Sequence, residues 1–258
     1  MFILIAESKT MTPCDTPVSQ DIYQSHRPML EDDATSIMKS LRGMQVPELA
    51  KYLKLSTPMI TKLQRMIYEF PNKALGSEAI NAFTGVVFKA FDYATLNYEE
   101  KSRTKDRVRI ISSLYGWLRP DDIVKPYRFD FTTRLAPGEV KFSAFLRDKV
   151  TESLLTELSA KGYNEILNLM PSDAEKCINW KLIESHVNIR KVEFQEILPG
   201  GGVRTPNAGR LKTLRGELLR QIIRENITST ADLLKITGEN YFSTGIATPG
   251  GNIVFQTA

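Results

Sequence analysis

The chain opens Met1-Phe2-Ile3-Leu4-Ile5-Ala6, and this run constrains the fold more than any other stretch. A strand that alternates polar and apolar residues can leave one face in water. A strand apolar at almost every position has to be covered on both faces. The expectation is an inner sheet strand with other elements packed above and below. Glu7-Ser8-Lys9-Thr10 leaves its end. A Lys-Thr pair there can bind phosphate through ammonium and hydroxyl. The full Walker A spacing is absent, so a P-loop is excluded, and the alternative is an ordinary surface lysine.

Helical and extended patterns alternate irregularly after that. Ala34, Ile37, Met38 and Leu41 predict a helix over 33–42. A short helix from Pro47 to Leu53 and a longer one over 59–69, capped by Thr57 with Pro58 in the first turn, follow across a short turn. Ala79 to Thr84 reads as a strand, Val86 to Phe91 as a short helix, and Tyr98 to Arg109 as a basic, solvated helix face. Phe142 to Lys161 is the clearest helix, stopped by Gly162. Strands are expected over 164–169, 186–198 and 252–256. Thr213 is read as the cap of a helix carrying Leu214, Leu218, Leu219, Ile222 and Ile223 inward, and Thr230 as the cap of one more. With no repeat and no clean linker, the expected fold is α/β (mixed α+β): one compact domain over 1–258, its mixed central sheet surrounded by helices.

Composition narrows the function. The net charge is +4, with 42% hydrophobic and 25% charged residues, so local charge matters more than the total. Cys14 and Cys177 have no CxxC spacing and read as free thiols without a disulfide; with only His26 and His186, no metal site is expected. No apolar run approaches a membrane span and no signal peptide is visible, which predicts a cytoplasmic protein with no membrane partner. No cofactor is called.

The densest chemistry lies in Ile111-Ser112-Ser113-Leu114-Tyr115-Gly116-Trp117-Leu118-Arg119-Pro120-Asp121-Asp122 and its continuation Lys125-Pro126-Tyr127-Arg128-Phe129-Asp130. It reads as a buried strand broken at Gly116, then a proline turn, then a second rigid hinge. Arginines, aspartates and tyrosines leaving apolar segments describe either the wall of a polar pocket or a structural corner in which each Arg pairs with an Asp.

SSLYGWLRPDD and KPYR resemble the signature of the YaaA-like peroxide stress protein family, whose pattern runs approximately LSGLYGxLRPLD…PYR. Lys9-Thr10, Phe83-Thr84-Gly85, Asn168-Leu169, Arg215-Gly216 with Arg220, and Tyr241-Phe242 follow in the family's order. There are departures. Ala6-Glu7-Ser8 stands where the family has Ser-Pro-Ala, Val86-Val87-Phe88 lacks an acid and a tyrosine hydroxyl, and Met170 to Glu175 replaces an Ala-Ser and tyrosine segment. The resemblance implies a YaaA-like, cantaloupe-type fold with a basic cleft, and a helix-hairpin-helix element, which would lie at about 30–70. It also implies DNA binding, peroxide resistance and limitation of free iron. On residues alone the helix pair is open between a helix-turn-helix, nonspecific phosphate contact and a plain αα-corner.

Three readings follow. One is a DNA-binding stress protein using Lys9, Thr10, Arg119, Arg128, Arg210, Lys212, Arg215 and Arg220. Another is an enzyme holding a phosphate- or nucleotide-like anion, with Lys9, Asp122 and Tyr127 as catalytic candidates and Tyr115 and Asn168 in the pocket. A scaffold without a site is the third. The sharpest expectation is that Lys9, Arg119, Tyr127, Arg128 and Arg215 converge, with Arg215 opening a helix beside free amides at Gly216.

Overall fold

The computed structural model describes residues 1–12, 17–53, 55–72, 74–133, 140–247 and 251–257. Its helices are α1 (Gln20–Ser25), α2 (Glu31–Arg42), α3 (Val46–Leu53), α4 (Thr57–Glu69), α5 (Ala79–Ala82), α6 (Val86–Phe91), α7 (Tyr98–Arg107), α8 (Phe142–Lys161), α9 (Ser172–Glu175), α10 (Trp180–Glu184), α11 (Ala208–Arg224) and α12 (Thr230–Leu233). Its strands are β1 (Phe2–Ala6), β2 (Ser77–Glu78), β3 (Val108–Ser112), β4 (Gly116–Leu118), β5 (Ile123–Val124), β6 (Glu165–Asn168), β7 (Asn188–Ile197), β8 (Val203–Arg204), β9 (Phe242–Ala247) and β10 (Ile253–Thr257).

The main sheet runs β4-β3-β1-β6-β7-β10-β9, with β8 paired to β7 and a separate β2-β5 ladder. β3, β1, β6, β7 and β10 are parallel neighbours, whereas β4 and β9 run antiparallel at the edges. The result is a mixed α/β fold. Every residue of β1 is buried, as its composition requires. Ile3 and Ile5 point into a core built with α2, α4, α6 and α11. Phe2, Leu4 and Ala6 point the other way, into a core built with α8 and the short helices around Ala174 and Ile183. The chain crosses one face between β1 and β3, then uses α8 on the other face to reach β6 on the far side of β1. The C-terminal end of β1 is therefore a switch point, where parallel sheets open a crevice.

Several expectations are corrected, and the caps expected at Thr57 and Thr230 fall one residue earlier, at Ser56 and Ser229. Ile111 to Leu118 is not one broken strand. Gly116 takes φ +75°, and the chain reverses so that Ser112 pairs with Gly116 and Ile110 with Leu118. An added Cβ at Gly116 would also meet Leu30 Cδ1 at 2.5 Å. Ala79 to Ala82 is a helix, not a strand. α11 begins at Ala208, capped by the Asn207 side chain, which accepts from the Arg210 N–H at 3.0 Å; Thr213 lies within it. α8 ends as expected at Gly162, in the left-handed region at φ 69°. α3 and α4 bury Leu49, Ile60, Leu63 and Ile67 in the same core as α2. Among the described residues no helix is long and apolar enough to cross a membrane.

Candidate functional site

A cleft of about 490 Å³ opens beyond the C-terminal end of β1. Its floor is Ile5 to Thr10. Its walls are the start of α6, residues 130–132, the loop after β6 and the first turns of α11, which bring Lys212 and Arg215 to it.

Glu7 sits at the base. Its backbone N–H still donates to Ile111 O at 2.9 Å, continuing the ladder one residue past β1. Oε2 accepts from the Ser113 N–H at 3.0 Å and from the Tyr127 hydroxyl. The Tyr127 oxygen is 2.7 Å from Ser112 Oγ, which accepts from the Leu114 and Tyr115 N–H groups at 3.2 and 3.0 Å. Burial pushes the Glu7 carboxyl up to about 7, although these donors favour its charged form. Burial and the Glu7 charge together hold the Tyr127 hydroxyl well above the usual phenol range.

Lys9 stands at the mouth, 64% exposed, its Nζ 3.0 Å from Asp130 Oδ2. Burial works against the Asp130 carboxylate, but hydrogen bonds from Thr132 and Lys9 outweigh it and bring it down to about 2. Arg128 does not line the cleft; its guanidinium donates to Lys9 O at 3.0 Å and ties that segment down. Thr10 is exposed on the cleft wall and its carbonyl accepts from Ser8 Oγ at 2.7 Å. Asn168 closes β6. Its Oδ1 accepts from the Met170 N–H at 2.9 Å and its Nδ2 donates to Glu175 at 2.7 Å, which sets the loop of the adjacent wall.

Arg215 is half-buried, and neither it nor the exposed Lys212 forms an ion pair or hydrogen bond through its side chain with any described residue. Burial lowers the Arg215 pKa, with the charge of Glu175 acting against that.

The structure therefore gathers Lys9, Thr10, Lys212 and Arg215 at one cleft, with Tyr127 behind it through Glu7. Arg119 is not there. The hairpin carries it to the opposite end of the sheet, where it reaches Glu157 at 3.4 Å and lies over Trp117. Asp122 is also at that end. Its Oδ2 accepts from the Arg119 N–H at 2.7 Å, closing the turn, and burial pushes its carboxyl up to about 7. Tyr115 is a core ring, edge-on to Tyr127 with 5.7 Å between centroids. Arg210 donates to Thr257 at 3.3 Å, and Arg220 donates to the Phe91 and Asp92 carbonyls at 2.8 and 2.9 Å, closing the end of α6. Gly216 lies in the middle of α11, where its amide is not free for a ligand.

The basic run ahead of β3 does not rim the cleft either. Arg107 donates to the carbonyls of Met1 and Ile227, and Arg109 is buried against Glu157. The residue missed by sequence reasoning is Glu7. Its signal was an acid directly after a fully apolar strand, one position before Ser8-Lys9-Thr10.

Among the described residues no three His, Cys, Asp or Glu side chains gather where a metal ion could be held. Cys14 lies outside the described residues. Cys177 is buried, and burial with the nearby charge of Glu7 pushes its thiol up to about 12. It should resist peroxide and thiol reagents in the native protein and react only after unfolding. Mass spectrometry of alkylated protein with and without denaturant checks this, and rapid native labelling at Cys177 contradicts it.

Comparison with known proteins identifies the family. The family model described as peroxide stress protein YaaA matches residues 1–244. A UPF0246 protein of Parabacteroides distasonis is 30% identical over 257 residues, covering 99% of both chains. UPF0246 proteins of Burkholderia ambifaria and Clostridium botulinum are each 27% identical, over 99% of this chain and 98% of theirs. The chain belongs to the YaaA (UPF0246) peroxide stress protein family.

Proposed function

We propose that the cleft binds a small molecule bearing a phosphate, sulfate or carboxylate group, held by Lys212 and Arg215 with Lys9 at the mouth. One observation carries this reading: Arg215 is half-buried and its guanidinium forms no ion pair or hydrogen bond with any described residue, Glu175 acting on it only through its charge at longer range. A cation withdrawn from water without a partner costs free energy, and a guanidinium offers an oxyanion two parallel hydrogen bonds. The position beyond the ends of β1 and β6 is where parallel sheets take ligands.

The family name links this chain's relatives to peroxide stress, and a cytoplasmic role in that response is part of the proposal. DNA binding and limitation of free iron, implied by the sequence resemblance, form a second reading. The exposed Lys9 and Lys212 at the cleft mouth favour it. A broad duplex-binding face has less support, because several cations of the basic runs are matched by acids at the surface. Lys105 faces Glu78 and Asp121, Arg204 pairs with Glu196, and Arg224 with Glu100.

Replacing Lys212 and Arg215 together by alanine should weaken sulfate binding at least about tenfold, since a charge-assisted hydrogen bond contributes about 1.5–3 kcal/mol. Calorimetric titration with sulfate reads this directly. Equal affinity in a folded double variant removes the proposal. Duplex DNA titrated in parallel over a range of salt tests the second reading. A salt slope reduced by about two in the double variant puts phosphates on these residues.

A further inference from the structure

Among the described residues, Glu7 is the acid that both lines the cleft base and is held by a directed chain of hydrogen bonds. Ser112 Oγ already accepts from two backbone N–H groups, so its own hydrogen points to the Tyr127 oxygen. Tyr127 then donates to Glu7 Oε2, which also accepts from the Ser113 N–H. With two donors on Oε2, the proton of the neutral carboxyl belongs on Oε1. Among the described residues no donor meets Oε1 in hydrogen-bonding geometry, although the buried Ser113 hydroxyl stands close enough to favour the charged carboxyl, and Glu7 lines the cleft.

We infer that the cleft is a proton-transfer site for a small anionic molecule, with Glu7 Oε1 as the atom that exchanges the proton. This rests on the anion reading above. In the donating direction the Oε1–H bond breaks, its electron pair stays on the carboxylate, and a basic atom of the bound molecule gains the proton. The Tyr127 hydroxyl and the Ser113 N–H then hold the new negative charge on Oε2. In the accepting direction the carboxylate takes a proton from the bound molecule by the reverse path. The class of substrate is an oxyanion-bearing molecule with an ionisable atom within reach of Glu7 when its anionic group rests on Lys212 and Arg215.

The surroundings leave this role to Glu7. Asp130, across the cleft, is held ionised by Lys9 and Thr132. Asp173 on α9 is exposed and pairs with Lys176 at 3.0 Å. Cys177 behind the strand is pushed up to about 12, and Tyr127 is higher than the usual phenol range. Among the described residues, Lys9, Lys212 and Arg215 are the cations that line the space. Burial leaves the Glu7 carboxyl titrating at about 7, where donation and acceptance are both accessible.

Sulfate, which does not titrate near neutrality, is the probe. A sulfate on Lys212 and Arg215 repels a Glu7 carboxylate, so binding should draw a proton onto Glu7. Wild-type affinity should fall about tenfold or more between pH 6 and 9, with proton uptake seen as a buffer-dependent heat. Glu7→Gln should bind sulfate without that pH dependence or uptake. Tyr127→Phe removes a donor to the carboxylate and should move the midpoint upward. Carboxyl-carbon NMR of the wild type needs no variant. The Glu7 midpoint should rise when sulfate is added. An unmoved midpoint, or the same pH profile in wild type and Glu7→Gln, overturns the proton role and leaves the anion site. Absence of sulfate binding in both proteins overturns the two readings together.

Discussion

Glu157→Ala is expected to destabilise the protein by about 3–5 kcal/mol, the usual cost of stranding a buried charge. Glu157 on α8 faces the Arg109 guanidinium, whose side chain is 1% exposed, while its own is 11% exposed. Arg109 stands in the middle of β3, an interior strand, flanked by Phe2 and Trp117 with 5.1 and 5.6 Å from the guanidinium carbon to the ring centroids. The Lys105, Asp106 and Val108 carbonyls satisfy one of its nitrogens, at 2.9, 3.2 and 2.7 Å. Those carbonyls cannot neutralise its charge. The exposed Arg119 loses its partner too, but a surface pair contributes little. Urea unfolding should show the loss, with a fall in Tm of roughly 10 °C. Replacing both members, as Arg109→Met with Glu157→Leu, should recover most of it, because no charge is then left in the core. A single variant within 1 kcal/mol of wild type would falsify the view that Arg109 is cut off from water.

The same pair makes a pH prediction. Burial works against the Glu157 carboxylate, but the Arg109 hydrogen bond and charge outweigh it and leave its pKa below the ordinary value. A carboxylate with a lowered folded pKa contributes stability above its unfolded pKa, and that stability is lost as pH falls through the folded one. The Glu157→Ala penalty should therefore shrink on acidification below about pH 4.5. Glu7 and Asp122, both raised to about 7, act with the opposite sign. Each favours the fold below its unfolded pKa and loses that advantage as pH rises through about 7, so Glu7→Gln and Asp122→Asn should each flatten the fall in stability between the ordinary carboxylate range and about pH 7.

How much of this was legible in the residues depends on what kind of signal each carried. β1 declared itself because a wholly apolar run has one physical outcome, burial on both faces. α8 did so because twenty residues of helical spacing ending at Gly162 leave little choice. The helix over 79–82 was misread because an apolar segment of four to six residues carries no usable period. The error with larger consequences was Gly116. A glycine inside an apolar run marks a break, but nothing local says whether the chain continues or reverses. It reverses, which sends Arg119 and Asp122 to the far end of the sheet and removes them from the cleft. Lys9 and Arg215 meet only because β1 and α11, some two hundred residues apart, pack around α6; that contact is written in no local pattern. Glu7 was passed over for a related reason. Its importance comes from Tyr127 and Ser113, both more than a hundred positions away.

The contact that joins those parts depends on Gly216, and Gly216→Ala is the second change expected to have a large effect. α11 crosses α6 so closely that a Cβ on residue 216 would lie 2.4 Å from Val87 O, 2.7 Å from Ala90 Cβ and 3.1 Å from the Phe91 nitrogen. Two of these atoms are backbone, so α6 has to shift as a body; a rotamer change cannot relieve the clash. Overpacking of this kind costs about 1–3 kcal/mol, and the upper end applies where the obstacle is main chain. Alanine in a helix interior gives back up to about 1 kcal/mol relative to glycine, which leaves a net loss of roughly 2 kcal/mol. Because α6 and α11 both line the cleft, the shift should also weaken sulfate binding, which sets this variant apart from one that merely loses stability. Ala90→Gly removes one of the three obstacles. A double-mutant cycle of the two substitutions, read by urea unfolding, should return a favourable coupling of about 0.5–1 kcal/mol and a partial rescue only, since the Val87 carbonyl stays in place. An alanine variant as stable as wild type, with sulfate binding intact, places the helices farther apart than this crossing requires.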